Sequence, residues 1–201
     1  MMNQLNLFIT PVWWEFIELD NEKMYKKIKE FETKTETTYK SNLGGFQSAT
    51  DRWDMMNEDD TFQPLRDRIL YNIKEMNFKA KSFEYARMWC NINRKGDWNM
   101  LHAHGHYDFS GVYYVKAPED SGNFIVRDPR PAAITSEYMT ESFNGGEVVR
   151  IAPEVGKLVI FPSYLDHMVE PSKSDDERVS ISFNIKAIVW WKQVSENNYS
   201  Y

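Results

Sequence analysis

Cysteine and long apolar runs are scarce in this sequence, and each scarcity excludes a class of protein. Among 201 residues there is one cysteine, Cys90, so no disulfide can form within the chain. No charged-then-apolar leader with a small-residue cleavage site stands at its start, and a reducing, cytoplasmic location is therefore expected. The apolar runs are short, such as Gly156 to Phe161, whereas a membrane-spanning helix needs roughly 18 apolar residues. We expect no membrane span.

An excess of basic residues is also missing. The chain has 24 lysines and arginines against 30 aspartates and glutamates, which gives a formal net charge of -6. Proteins that coat nucleic acids normally carry a basic patch or stripe, so this charge disfavours a nucleic-acid partner. The oligomeric state is left open by the sequence.

The hydrophobic content of 42% is enough to form a core, and the length is that of one domain. We expect a single domain over residues 1–201, with a helical support region at 1–80 and a β-rich core at 81–192. Apolar residues recur at helical spacing in Asn21 to Thr33 and in Phe62 to Met76, which predicts two amphipathic packing helices.

The second half has the texture of a β protein. Short runs rich in aromatic and β-branched residues alternate with Gly, Pro, Asn and Asp clusters. Regular spacing without intervening helical patterns predicts an antiparallel sandwich or barrel such as a jelly roll. The predicted strands are Phe83 to Ile92, Phe109 to Val115, Asn123 to Val126, Glu147 to Ala152, Lys157 to Phe161 and Val179 to Trp190.

Histidines are few but clustered. Three of the four, His102, His104 and His106, fall within five residues, and His167 lies far downstream. Side chains at i and i+2 of a strand share a face, so His102 and His104 can aim two imidazoles at one point, with His167 as third ligand. Such a set leaves half of an octahedron open, as iron oxygenases require for a cosubstrate and dioxygen.

A second ligand set competes with this one. His106 and Asp108 spell the His-x-Asp of the two-histidine, one-carboxylate triad. Asp108 directly precedes a predicted strand, which leaves no turn between this ligand and the strand. If His102 and His104 are the ligands, Gly105 to Tyr107 can form that turn. We favour the all-histidine set and keep Asp108 as the alternative.

An arginine follows the distal histidine in the sequence, at the start of the next predicted strand. Arg178 stands eleven residues beyond His167, at the start of an alternating strand, and Ser180 lies two residues further on the same strand face. A planar guanidinium binds a carboxylate bidentately, which suits the far end of a metal-bound dicarboxylate.

These residues together resemble the 2-oxoglutarate- and iron(II)-dependent dioxygenase superfamily. The segment that carries His167 is GKLVIFPSYLDHMVEP, Gly156 to Pro171, and it is similar to the distal-ligand segment of prolyl hydroxylases. The segment GDWNMLHAHGHYDFSGVYYV, Gly96 to Val115, resembles a group of 2-oxoglutarate oxygenases from marine bacteria and phages. The early run Ser41 to Ser48 and the turn Asp128 to Arg130 resemble the same group, so the similarity covers most of the chain.

The resemblance implies a fold, a chemistry and a set of residues. The fold is a double-stranded β-helix, or jelly roll, with supporting helices outside. That group carries His-x-His where the superfamily has His-x-Asp, which implies His102, His104 and His167 as Fe(II) ligands. Arg178, Ser180 and Tyr114 would hold the 2-oxoglutarate cosubstrate, while dioxygen takes the last metal position. The implied activity is hydroxylation of an unidentified peptidyl or small-molecule substrate, with release of succinate and CO2.

A rival hypothesis is a cupin-like metal- or ligand-binding module without oxygenase turnover, because jelly rolls host many functions. Iron- and oxygen-dependent succinate formation separates the two.

Overall fold

A computed structural model of the chain describes residues 8–51, 54–130 and 147–189, with the side chains of residues 54 and 56 excepted. Trp190, the predicted end of the last strand, lies outside these residues. Within the described part of the chain, every helix is too short or too polar to cross a bilayer.

The described residues form two α-helices, a short π-helix and eleven strands. The helices are α1 (Asn21–Lys34) and α2 (Gln63–Glu75), and the π-helix is Asp54–Glu58. The strands are β1 (Trp13–Phe16), β2 (Asn42–Leu43), β3 (Phe46–Gln47), β4 (Ser82–Asn93), β5 (Trp98–His102), β6 (Phe109–Lys116), β7 (Phe124–Arg127), β8 (Val148–Ile151), β9 (Lys157–Pro162), β10 (His167–Val169) and β11 (Arg178–Ile188).

The strands form two antiparallel sheets. A six-stranded sheet has the order β1-β9-β6-β11-β4-β3, and a five-stranded sheet has the order β2-β5-β10-β7-β8. Neighbours in these sheets are rarely neighbours in sequence, as expected for a jelly roll. The predicted fold class, mainly β with supporting helices, is confirmed.

Both helices lie on the outer face of the six-stranded sheet, α1 against β6 and α2 against β4. In α1 the Asp20 carboxylate accepts a hydrogen bond from the Lys23 amide and so caps the first turn. The buried residues of α1 are Met24, Ile28 and Phe31, whose spacing of three and four places them on one face. The two predicted packing helices are confirmed.

Strand β11 has an apolar face towards the core and a polar face towards a cavity. The odd-numbered residues from Val179 to Ile185 belong to the apolar cluster under the helices. On the opposite face, Arg178, Ser180 and Ser182 line a cavity between the two sheets. Because successive strand side chains point to opposite faces, one strand both stabilises the core and supplies polar groups to the interior.

The structure adds strands that the sequence pattern did not predict. In the helical support region β1, β2 and β3 extend the sheets, and β5 and β10 lie in the five-stranded sheet. These strands have two to five residues, so alternation is weak evidence for them, as it is for the four-residue strands β7 and β8. The six predicted strands are all present, with ends that coincide or differ by one or two residues over the described part.

Gly111 offers a direct test of this packing. A Cβ added there would lie 2.3 Å from the Phe183 ring and 2.6 Å from the Val159 carbonyl oxygen. We expect Gly111→Ala to lower the free energy of unfolding by about 1–3 kcal/mol, the usual cost of overpacking a core, in denaturant titrations. The matched control is Gly105→Ala, where an added Cβ meets nothing within 4 Å. Equal stability of the two variants would contradict the packing described.

Candidate metal centre

The pairing of β5 with β10 positions two histidines. His102 is the last residue of β5 and His167 the first residue of β10, and the antiparallel register sets them directly opposite each other. Facing residues of an antiparallel pair have Cβ atoms about 5 Å apart, so the two imidazoles are neighbours. His104 follows two residues after His102, and its backbone amide donates to the Ser163 carbonyl oxygen at 2.8 Å.

The three imidazoles converge. One potential ligand atom from each of His102, His104 and His167 lies within 4.8 Å of the others. The ring centroids are 4.3 Å apart for His102 and His167, and 5.0 Å apart for each of the other two pairs. Three nitrogens at such distances can be brought onto one first-row metal ion by small side-chain rotations.

Backbone carbonyls fix which ring nitrogen faces inward for two of the three. The Nδ1 of His102 is 2.7 Å from the Met100 oxygen, and the Nδ1 of His167 is 2.8 Å from the Leu165 oxygen. A carbonyl oxygen only accepts, so each Nδ1 carries the proton and each Nε2 keeps a free lone pair. This is the outer-shell arrangement that orients metal-binding histidines.

Burial keeps these histidines neutral. Desolvation, with a smaller contribution from His102, lowers the pKa of His104 from 6.5 to about 4. Desolvation, followed by the charge of His102, lowers the pKa of His167 to about 3. Desolvation also lowers the pKa of His102. Neutral imidazole is the form that binds a metal, so the site is ready to coordinate at neutral pH.

The competing pair lies elsewhere. His106 and Asp108 are exposed, and neither belongs to the one cluster of potential metal ligands found among the described residues. The Asp108 carboxylate accepts a hydrogen bond from the amide of Ala187, near the C-terminal end of β11, at 2.7 Å. Gly105 and His106 form the turn that the all-histidine set requires.

Arg178 lies in the same cavity as the three histidines, with 2% of its surface exposed. Its guanidinium donates to the Gly122 carbonyl oxygen at 3.0 Å and to Asn93 Oδ1 at 2.9 Å. Its buried Nε has no hydrogen-bond partner among the described residues. Burial lowers the pKa of this group, yet a guanidinium stays charged at neutral pH. A buried cation without a carboxylate partner favours an anionic ligand.

Ser180 and Tyr114 line the cavity beside this arginine. They face each other in the register of β11 and β6, and they are 4% and 2% exposed. Burial raises the pKa of Tyr114 to about 12, so its hydroxyl keeps its proton and can donate to an anion. The structure thus brings all six predicted site residues into one cavity.

The cavity also contains amides that the sequence reasoning missed. Asn93 holds the Arg178 guanidinium, and the buried Oδ1 of Asn91 has no partner among the described residues. Gln47, from the glycine-containing run, lines the cavity as well. A signal was present in β4, where Trp89, Asn91 and Asn93 alternate with apolar Met88, Cys90 and Ile92.

Residues 87–184 match a family model described as "Putative 2OG-Fe(II) oxygenase". No curated protein matches the chain.

Several solved structures share the fold. A prolyl-4-hydroxylase from Pseudomonas putida is 14% identical, with a TM-score of 0.62 over 89% of this chain and 93% of that one. A prolyl hydroxylase from Trichoplax adhaerens, solved with a peptide fragment of hypoxia inducible factor, is 12% identical, with a TM-score of 0.64 over 93% and 87%. HygX from Streptomyces hygroscopicus, solved with nickel and 2-oxoglutarate, is 12% identical, with a TM-score of 0.61 over 89% and 83%. At these identities the likeness shows the fold.

The lowered histidine pKa values predict how the metal-free protein responds to acid. Between pH 6.5 and 5 His167 is protonated in the unfolded chain but stays neutral in the folded chain. The unfolded state therefore binds more protons, and stability falls as the pH falls. From pH 7 to pH 5, His167 alone should cost about 2 kcal/mol. Denaturant titrations of chelator-treated protein should show a weaker acid dependence in His167→Asn than in the parent. The matched control is His106→Asn at an exposed position, which should behave as the parent does; identical slopes in all three proteins would refute the prediction.

Proposed function

We propose that the chain, which residues 87–184 assign to the 2-oxoglutarate- and Fe(II)-dependent oxygenase family, hydroxylates a C–H bond of a peptidyl or small-molecule substrate. Fe(II) is the cofactor and 2-oxoglutarate the cosubstrate. In the proposed reaction one dioxygen, one 2-oxoglutarate and one C–H bond give succinate, CO2 and an alcohol. The observation that carries the proposal is a buried guanidinium, with no carboxylate partner among the described residues, in the same cavity as three converging imidazoles.

The three histidines would hold the metal through neutral nitrogens. For His102 and His167 these are the Nε2 atoms, since each Nδ1 is committed to a carbonyl oxygen. Fixed ring orientations lower the cost of ordering the ligands when the ion binds. Iron held there would supply the activation of dioxygen and the oxidation of the substrate, which no protein side chain can perform.

The remaining polar groups would bind the dicarboxylate. Arg178 can face the carboxylate that is remote from the metal, and the unpartnered Nε adds a donor to those already used by Asn93 and Gly122. The hydroxyls of Ser180 and Tyr114 can donate to the same group. Because these groups are buried, water does not compete for the carboxylate.

Relatives of this fold do not all hydroxylate, so the reaction outcome is part of the proposal. The similar structures include an epimerase and a carbocyclase of nogalamycin biosynthesis, both described as alpha-ketoglutarate dependent. Prolyl hydroxylases are among the similar structures as well, and hydroxylation is the outcome proposed here.

Substrate-independent turnover tests the proposed chemistry. Purified protein with Fe(II), 2-oxoglutarate and dioxygen should form succinate slowly, as measured by NMR, and should form none when iron or dioxygen is withheld. Tight iron binding with no succinate under any condition would instead support a cupin-like binding module.

Arg178→Gln should weaken 2-oxoglutarate binding strongly. Loss of a buried charged hydrogen-bond partner costs about 2–5 kcal/mol, so we expect the apparent KM for 2-oxoglutarate to rise about 30-fold or more. Arg178→Lys keeps the charge without the planar fork, so its KM for 2-oxoglutarate should lie between those of the parent and of Arg178→Gln. The matched control is Arg68→Gln, which removes an arginine paired with Glu15 away from the cavity. An unchanged KM in a folded Arg178→Gln protein would contradict the assigned role.

A further inference from the structure

A second cavity, here called the vestibule, leads outward from the metal centre. Its volume is about 400 Å³. It shares Ser41, Gln47, Trp89, His102 and His104 with the inner cavity. The vestibule therefore adjoins the proposed metal centre and offers a substrate a way to it.

The vestibule is positively charged, in contrast to the chain as a whole. Lys40 and Arg87 line it, and none of its described lining residues is acidic. The whole chain, by comparison, has a net charge of -6. Neither cation forms an ion pair with the described residues, and the only hydrogen bond recorded for the Arg87 side chain is to the Ala86 carbonyl oxygen. Two cations without carboxylate partners in one concave site attract an anion.

Apolar surface lies beside these cations. Met100 and Leu101, in β5, keep 42% and 44% of their surface exposed and line the same cavity as Tyr107 and Trp89. An exposed apolar patch next to the functional centre fits a ligand with a hydrocarbon or aromatic portion.

Two amide side chains lie at and just inside the junction of the two cavities. Gln47 is 2% exposed and lines both cavities. It pairs across β3 and β4 with Asn91, which lines the inner cavity and whose buried Oδ1 has no partner among the described residues. Buried polar groups left unpaired are costly, so this position suits a ligand that supplies hydrogen bonds.

We propose that the vestibule binds a substrate that carries a carboxylate or phosphate group joined to an apolar portion. Lys40 and Arg87 pair with the anion, Met100 and Leu101 contact the apolar portion, and Gln47 hydrogen-bonds the part nearest the metal. Naming the occupant as substrate rests on the proposed oxygenase function, whereas the preference for an anion rests on the vestibule alone.

Three probes with one carbon skeleton test this preference. They are 3-phenylpropane-1-sulfonate, 3-phenylpropan-1-ol and 3-phenylpropan-1-amine, titrated by calorimetry into Zn(II)-loaded protein with saturating 2-oxoglutarate to occupy the inner cavity. We expect the sulfonate to bind about tenfold or more tightly than the alcohol, and the amine more weakly than both. The preference should shrink with added salt, because surface charges are screened.

Charge-removing variants assign the effect to named residues. The double variant Lys40→Gln/Arg87→Gln should bind the sulfonate as weakly as the alcohol. Lys26→Gln removes an exposed lysine on α1 and should change nothing. Equal affinities of the parent for the sulfonate and the alcohol, or an unchanged sulfonate affinity in the double variant, would overturn the proposal.

Two further measurements distinguish the possible sources of the anion, and distinguish failure of this proposal from failure of the proposed function. The first measurement is the affinity for a capped Leu-Glu dipeptide, with a capped Leu-Gln dipeptide as its uncharged control. If Leu-Glu binds more tightly than the sulfonate, the preferred anion is carried by a peptide. If it binds less tightly, the preferred anion is a free acid. Zn(II) and 2-oxoglutarate affinities are measured on the same samples. Their absence from the parent would count against the oxygenase function, while the sulfonate comparison would still decide the nature of the vestibule.

Discussion

The antiparallel register between β5 and β10 is the constraint on which the site depends. It places His167 opposite His102, and the chain leaving β5 then brings His104 to the same point. A slip of one residue would turn one of the facing imidazoles to the other side of the sheet. The pairing of β10 with β7 on its other edge holds that register in place. Two short strands, stable only as inner strands of a sheet, therefore determine whether three ligands can meet.

Charge balance links the ligand set to the cosubstrate. Three neutral histidines leave a bound Fe(II) with both of its positive charges, whereas the common triad with a carboxylate removes one. Asp108, the carboxylate of the competing ligand set, accepts a hydrogen bond from the Ala187 amide instead. A dicarboxylate bound between the metal and Arg178 would neutralise the remaining charge. The all-histidine set and the buried guanidinium both leave positive charge in the cavity, which the same dicarboxylate would balance.

The sequence predicted the fold class, both helices and six of the eleven strands among the described residues, because each of these has a periodicity of apolar residues. It also predicted which residues share the cavity, since strand alternation fixes the faces of β11. The His-x-His spacing predicted two imidazoles at one point, and the structure brings them together although β5 ends at His102 and His104 follows it. The polar residues Gln47, Asn91 and Asn93 were missed, although β4 alternates between polar and apolar residues. Their role depends on β3 and β4 pairing across long sequence separations, which local patterns do not encode.

The central claim is that three imidazoles and a guanidinium hold a metal and a dicarboxylate at once. Anaerobic addition of 2-oxoglutarate to the Fe(II)-loaded protein tests it most directly, since chelation of ferrous iron by a keto acid produces a weak visible charge-transfer band. We expect the band to appear and to saturate at one equivalent of 2-oxoglutarate. A folded, iron-loaded protein that develops no band would contradict it.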